Sequence, residues 1–237
     1  MPPEPVRPTD IHVEPIALDR IRLVIEPGEP GIDPRTDDVW TRMLASNERL
    51  FDAPILAFRG VEGDEVHCAI DAYRNFAVQD EIDLGVTLLA VTGVVTGRSR
   101  GVESVLLGKR SAQTRVYPGT WELVPSGGLE TPPIRAGTFG FDQVIEQLRR
   151  ELHEETGFDI PLDRATLVAM LADPIARSFD LVVRLEVETP VEGLEAGERD
   201  WELDEVRWVP LREARAFVDA NPMNPATVRL MAHFGWL

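Results

Sequence analysis

DQVIEQLRRELHEETGF, residues Asp142 to Phe158, holds no helix breaker before Gly157, and its apolar residues fall at helical spacing. Asp142 is a good N-cap residue and Gly157 a good C-terminal stop, so the spacing predicts one helix between them. Ile145, Leu148 and Leu152 stand at i, i+3 and i+7, a single apolar stripe that must pack against something. Glu151, Glu154 and Glu155 cluster within about 100° of arc beside that stripe, at roughly 100° per residue. Acidic residues near a helix C-terminus repel one another and the negative end of the macrodipole. A hard cation with oxygen ligands would justify the clustering, and Mg²⁺ with retained waters suits a site where the substrate supplies phosphate oxygens. On convergence alone, a solvated acidic helix end explains the pattern equally well.

The surrounding sequence places this helix among strands. LGVTLLAVTGVV, Leu84 to Val95, is a nearly continuous apolar run, as in a strand buried on both faces. Further strands are expected at Ser104 to Gly108, Trp121 to Pro125, Thr166 to Ala172, Phe179 to Val187 and Val206 to Val209, with a second helix over Leu211 to Asp219. The N-terminal third has its own pattern: an alternating stretch Ile21 to Ile25, a helix-like run from Asp37 to Leu50, and strand-like runs flanking a turn at Gly60 to Asp64. Packing logic assigns Trp40, Leu44 and Phe51 to a core of that unit and leaves Arg74 as a surface cation. The expected organisation is a disordered proline-rich start at 1–10, a small α+β unit at 11–82 and a larger α/β domain at 83–237.

Composition narrows the functional classes. A formal charge of −17 over 237 residues repels polyanions, so nucleic acid is not an expected partner. No apolar run approaches the roughly 18 residues of a membrane span, and the start MPPEPVRPTD lacks a secretory signal's apolar centre, so a cytoplasmic location is expected. The single cysteine, Cys68, reads as a small buried side chain. Sequence leaves the oligomeric state open, a homodimer included.

Arg150 to Phe158, RELHEETGF, resembles the second half of the Nudix box, R-E-U-x-E-E-x-G-U with U apolar, at all seven of its specified positions. Asp142 stands where the box has an acid eight positions before the arginine, and Ala136 where it has a glycine six positions earlier still. A Gly127-Gly128 pair follows a strand in VPSGGLE, but thirteen residues separate it from Asp142 where the family has five, which implies an eight-residue insertion within ETPPIRAGTFGF. That departure leaves the roles of Asp142 and Glu130 open.

The resemblance implies an α/β/α sandwich with a mixed sheet. It also implies a hydrolase of the pyrophosphate bond in nucleoside diphosphates linked to another group, and Mg²⁺ or Mn²⁺ on the helix carboxylates. Carried over by residue, Glu151, Glu154 and Glu155 become metal ligands, with Glu151 and Glu154 also catalytic, and Arg150 orients a box carboxylate. Family members also use a late acidic loop. Here it offers Glu198, Asp200, Glu202, Asp204 and Glu205, of which Glu202 is the expected further ligand. Arg110, Tyr117, Gly127 and Gly128 are expected against the substrate. Ordinary surface solvation or packing would equally explain Arg110, Tyr117 and the acidic loop.

VWTRMLASNERLFDAP, DAYRNF and LGVTLLAV resemble the front of an animal Nudix branch acting on UDP-glucose and UDP-galactose, most distinctively at Leu50 to Pro54 and at Tyr73, Arg74 and Phe76. That implies cleavage of a UDP-sugar to UMP and a sugar 1-phosphate, with ADP-ribose or another nucleotide sugar next. A non-cleaving sensor of the same fold would not need the intact glutamate set, and an isoprenoid isomerase of this fold would want a cysteine in the core domain, where there is none. A non-enzymatic acidic interaction protein would explain the charge but not the spacing of the box.

Overall fold

The computed structural model describes residues 11–12, 20–28, 31–99, 101–132, 136–159, 165–187 and 200–237, so the expected disorder at 1–10 and the candidate Glu198 lie outside the described residues. Twelve strands form one mixed sheet, flanked by helices. The N-terminal third supplies β1 (Ile11–His12), β2 (Arg22–Glu26), α1 (Asp37–Ser46), β3 (Pro54–Glu62), β4 (Glu65–Ala72) and the short α2 (Tyr73–Ala77). The remainder supplies β5 (Leu88–Ser99), β6 (Val102–Arg110), β7 (Trp121–Leu123), β8 (Ser126–Gly128), β9 (Gly137–Gly140), α3 (Asp142–Thr156), β10 (Ala165–Asp173), β11 (Ser178–Glu186), β12 (Leu203–Pro210), α4 (Ala214–Ala220) and α5 (Pro225–His233).

β5 is the hub. It pairs in parallel with β11 from Leu88↔Ser178 to Thr96↔Glu186, and antiparallel with β8 at its start and β6 at its end. The expected strand at Leu84 to Val95 is therefore shifted: its first four residues are loop, tied to Gln79 by the amide of the buried Val86. Close approach fixes Gly93 in this strand, since a Cβ there would lie 2.6 Å from Cδ of Pro125.

The two-residue period of the strands sorts side chains into two cores. Leu89, Val91 and Val95 of β5, with Phe179, Leu181, Val183 and Leu185 of β11, pack on one face with Leu148 and Leu152 of α3. Val94, Val105, Leu107 and Val182 pack on the other face with Leu230 of α5 and Phe217 of α4. A bulge between Leu167 and Ala169 shifts the alternation in β10, so that Leu167 and Met170 serve the first core while Ala169 and Leu171 serve the second. Helices on both faces of a mixed sheet make this an α/β sandwich.

In the N-terminal third, Ile21, Leu23 and Ile25 are fully or almost fully buried at alternate positions, as the sequence pattern requires. Its helices enclose a smaller cluster around Val39, Trp40, Ala77 and Val78. Two expectations fail there. Leu44 and Phe51 are 40% and 71% exposed, so they lie outside that cluster, and Arg74 is largely covered, joining α2 to α1 through Asp37 and through Thr36 Oγ1 at 3.0 Å. Cys68 is buried beside the Val24 carbonyl, and burial pushes its thiol up to about 12. The N-terminal strands continue into the same sheet: β3 meets β5 at Ala57↔Leu88, and β2 pairs with β9, which lies inside the insertion. We propose that the boundary near residue 82 separates two functional parts of that shared sheet.

Candidate active site

Helix α3 begins at Asp142 itself, with Phe141 in the N-cap position and no side-chain cap. The expectation of an Asp142 N-cap is thus corrected, and Asp142 instead places its charge in the first turn, where the macrodipole favours it. The other end is as expected: Gly157 is left-handed at φ 72° and donates its amide to the His153 carbonyl at 2.7 Å. Val144, Leu148 and Leu152 anchor the buried face, with Ile145 partly covered.

This anchoring turns Glu155 inward, only 6% exposed. One of its carboxylate oxygens accepts from the Ser126 amide at 3.3 Å, and the other, Oε2, has no hydrogen-bond partner. Burial, then the nearby charges of Glu122 and Glu151, hold the carboxyl well above its ordinary pKa. Glu151, one turn earlier, is half-buried against the side-chain-free surface of Gly127, where a Cβ would lie 3.4 Å from its carboxylate. Burial pushes Glu151 up to about 7. Gln147 steadies both elements, donating to the Gly128 carbonyl at 2.6 Å and to Glu151 at 3.4 Å.

Glu202 comes from the late loop. It is half-buried, and burial raises its carboxyl against the pull of Arg110. The loop is fastened to the helix where the Asp200 amide donates to the Glu154 carbonyl at 2.8 Å. Glu154 itself is exposed, while Arg150 pairs with Glu130 at 2.7 Å, so its partner comes from the loop after β8. His153 is exposed and stands 3.2 Å from Asp159.

Glu202, Gly127 and Gly128 border a cavity of about 940 Å³ that extends to Met43, Phe51 and Tyr73 of the N-terminal unit, and Glu151 lies against Gly127 on that wall. Arg110 lines it, donating to Glu122 at 2.5 Å and to the Val116 carbonyl at 2.9 Å. Glu122 is the functional candidate that sequence reasoning passed over. It is 4% exposed, binds Asn224 at 2.9 Å and raises the carboxyl of Glu155, and the available signal was an acid in the middle of the buried strand β7. Tyr117 lines the cavity with its hydroxyl already committed, donating to both oxygens of Asp173 at 2.8 and 2.9 Å. Asp180, also on the wall, accepts from Ser178 at 2.6 Å and Thr92 at 3.0 Å, and burial pushes it up to about 6.

Among the described residues no three His, Cys, Asp or Glu side chains stand close enough to hold an ion by themselves. The donor set nevertheless suits a hard divalent cation: oxygens only, with a buried Glu155 oxygen lacking any partner beside two more raised carboxyls. Mg²⁺ commonly keeps several waters and shares substrate oxygens, so a set that does not close on its own is compatible with it.

Comparison with known proteins bears on the same residues. No curated protein matches the chain. Among solved structures, the NUDIX domain of Shewanella oneidensis NrtR, complexed with ADP ribose, is similar at 20% identity and a TM-score of 0.47, covering 62% of this chain and 86% of that one. RenU, a Nudix hydrolase from M. smegmatis, is similar at 20% identity and a TM-score of 0.40, covering 62% and 84%. A bifunctional NMN adenylyltransferase/ADP ribose pyrophosphatase from Francisella tularensis, complexed with AMP and a Mn ion, has 16% identity and a TM-score of 0.45, covering 62% of this chain and 42% of that one. No helix among the described residues is long and apolar enough to cross a membrane. The NUDIX domain model matches residues 86–234, well over half of the chain and the whole of the glutamate-bearing helix, and the chain therefore belongs to the Nudix hydrolase family.

Proposed function

We propose that the chain hydrolyses the pyrophosphate bond of a nucleoside diphosphate joined to another group, with UDP-glucose or UDP-galactose as substrate and UMP and a sugar 1-phosphate as products. The observation that carries this reading is the buried, half-satisfied carboxylate of Glu155 close to Glu151 and to Glu202, the last of which lines a large cavity. Glu151, Glu154, Glu155 and Glu202 would hold Mg²⁺ or Mn²⁺, which supplies charge neutralisation for the phosphates and acidifies water.

The chain's own residues account for the rest. Gly127 and Gly128 keep their part of the cavity wall free of side chains, since a Cβ would meet the Glu151 carboxylate at one and Leu88 at the other, and the pyrophosphate would lie along that wall. A water oxygen attacks one phosphorus, the bond from that phosphorus to the bridging oxygen breaks, and the bridging oxygen leaves with the other phosphate. Glu151, half-buried against Gly127, accepts the water's proton. Arg110 is held towards the cavity by Glu122 and meets phosphate charge. Arg150 positions the helix against the loop through Glu130. UDP-sugar specificity is supported by the N-terminal unit, whose resemblance to that branch includes Phe51, Tyr73 and Phe76 on the cavity wall.

The test is to incubate the protein and Mg²⁺ with UDP-glucose, UDP-galactose, ADP-ribose and other nucleotide sugars, and to separate the products. UMP and a sugar 1-phosphate are expected. Turnover of ADP-ribose alone would overturn the UDP-sugar assignment, and no turnover of any substrate would leave a nucleotide-sugar sensor as the better reading.

A further inference from the structure

Phe51 and Trp201 are large aromatic side chains that folding leaves exposed, at 71% and 40%, and both line the cavity. They come from opposite parts of the chain. The Arg49 guanidinium lies 4.4 Å from the Trp201 ring centre and donates to Gln113 at 2.8 Å, so an N-terminal cation caps a ring of the core domain. The reverse arrangement stands elsewhere on the same wall, where Arg115 of the core domain lies 4.9 Å from the ring of Phe76 and 3.6 Å from Asp80. Trp201 is the residue before Glu202, on the loop fastened to α3 through Asp200.

Leaving aromatic rings in water forgoes the gain of burying them, and these two rings line the same cavity as Glu202. Flat π faces flanked by guanidinium groups, within a chain of formal charge −17, match a flat heteroaromatic ring attached to phosphate.

We propose that the nucleobase of the substrate stacks on Phe51 and Trp201, so that the N-terminal unit determines which nucleotide the glutamate site receives. This rests on the hydrolase reading for the identity of the substrate, but binding is separable from cleavage. The probes are UMP and AMP, which have no pyrophosphate bond, and ribose 5-phosphate, which has no base, titrated calorimetrically with Mg²⁺ into the full chain and into Phe51→Ala and Trp201→Leu.

One nucleotide should bind at least about tenfold more tightly than ribose 5-phosphate. Each substitution should weaken that nucleotide about tenfold and leave ribose 5-phosphate unchanged, the scale of one lost base stack. In hydrolysis the same variants should raise KM and leave kcat within about twofold. Because both side chains are exposed, unchanged thermal melting of the variants is expected.

Equal binding of nucleotide and ribose 5-phosphate, no binding of either nucleotide, or an unchanged affinity in both variants would each overturn the proposal. Base-dependent binding lost in the variants, in a protein that hydrolyses nothing, would uphold the recognition site and sink the hydrolase reading. Hydrolysis with KM unmoved by either substitution would do the opposite.

Discussion

Two groups of carboxylates, Asp173 and Asp180 on the cavity wall and Glu155 against the wall residue Ser126, differ in how their needs are met. Asp173 accepts from the Tyr117 hydroxyl and from the amides of Ile175 and Ala176, and Asp180 accepts from Ser178 and Thr92. Glu155 on α3 has one long bond from Ser126 and an oxygen with none. Both groups are sheltered and acidic, so charge and burial alone do not distinguish them. Hydrogen-bond supply does: the sheet aspartates are provided for by the fold, whereas among the described residues the helix glutamate keeps one oxygen without a partner.

Substituting one member of each group breaks this comparison most directly. Glu155→Gln, with Glu154→Gln beside it, should lower kcat by roughly 10²–10³-fold, the scale of losing a key electrostatic group. Glu155→Gln should melt no lower than the parent without metal, because a neutral amide removes a costly buried charge. Asp173→Asn should do the reverse, losing about 1–2 kcal/mol of stability as one or more of its accepted bonds go, with activity reduced less than tenfold. Equal activity losses in the two groups would show the distinction to be empty.

Metal addition sharpens it. At about a hundred times its dissociation constant, Mg²⁺ should stabilise the protein by about 2.7 kcal/mol, or roughly 5–10 °C in Tm. That gain should vanish in Glu155→Gln and persist in Asp173→Asn, as read by calorimetric melting.

The most gradual effect concerns pH. Burial raises the folded-state pKa of Asp180 from 3.8 to about 6, so between those values the folded protein holds a proton that the unfolded chain has released. Stability attributable to this group is therefore full below about pH 4 and falls as pH rises to about 6, then levels off. The difference in unfolding free energy between the parent and Asp180→Asn should change by about 3 kcal/mol across that window. A flat difference would place Asp180 in a better solvated setting than the fold indicates.

Much of this was legible in the residues. The α3 stripe, the Gly157 stop, the alternation of Ile21 to Ile25 and most core strands follow from periodicity, which local sequence carries. α5 carried a readable start in Asn224, whose side chain accepts from the Ala226 amide, followed by Pro225, but NPMNPA reads first as a loop. β9, GTFG, is too short and glycine-rich to announce itself, and its pairing depends on a strand more than a hundred residues earlier. The candidate site divided the same way. Residues set by helical spacing were readable, whereas Glu122, the Arg150–Glu130 pair and the exposure of Phe51 arise from tertiary contacts that no local pattern encodes.

Strand β9 acquires a mechanical meaning from the partner it chooses. Gly140 pairs with Arg22, and two residues later the helix that carries Glu151 and Glu155 begins. A tilt of the N-terminal strands would reach the first turn of that helix through a short tether. In the proposed hydrolase, β9 would be a coupling rod between the part of the chain that would grasp the base and the part that would cut the phosphates.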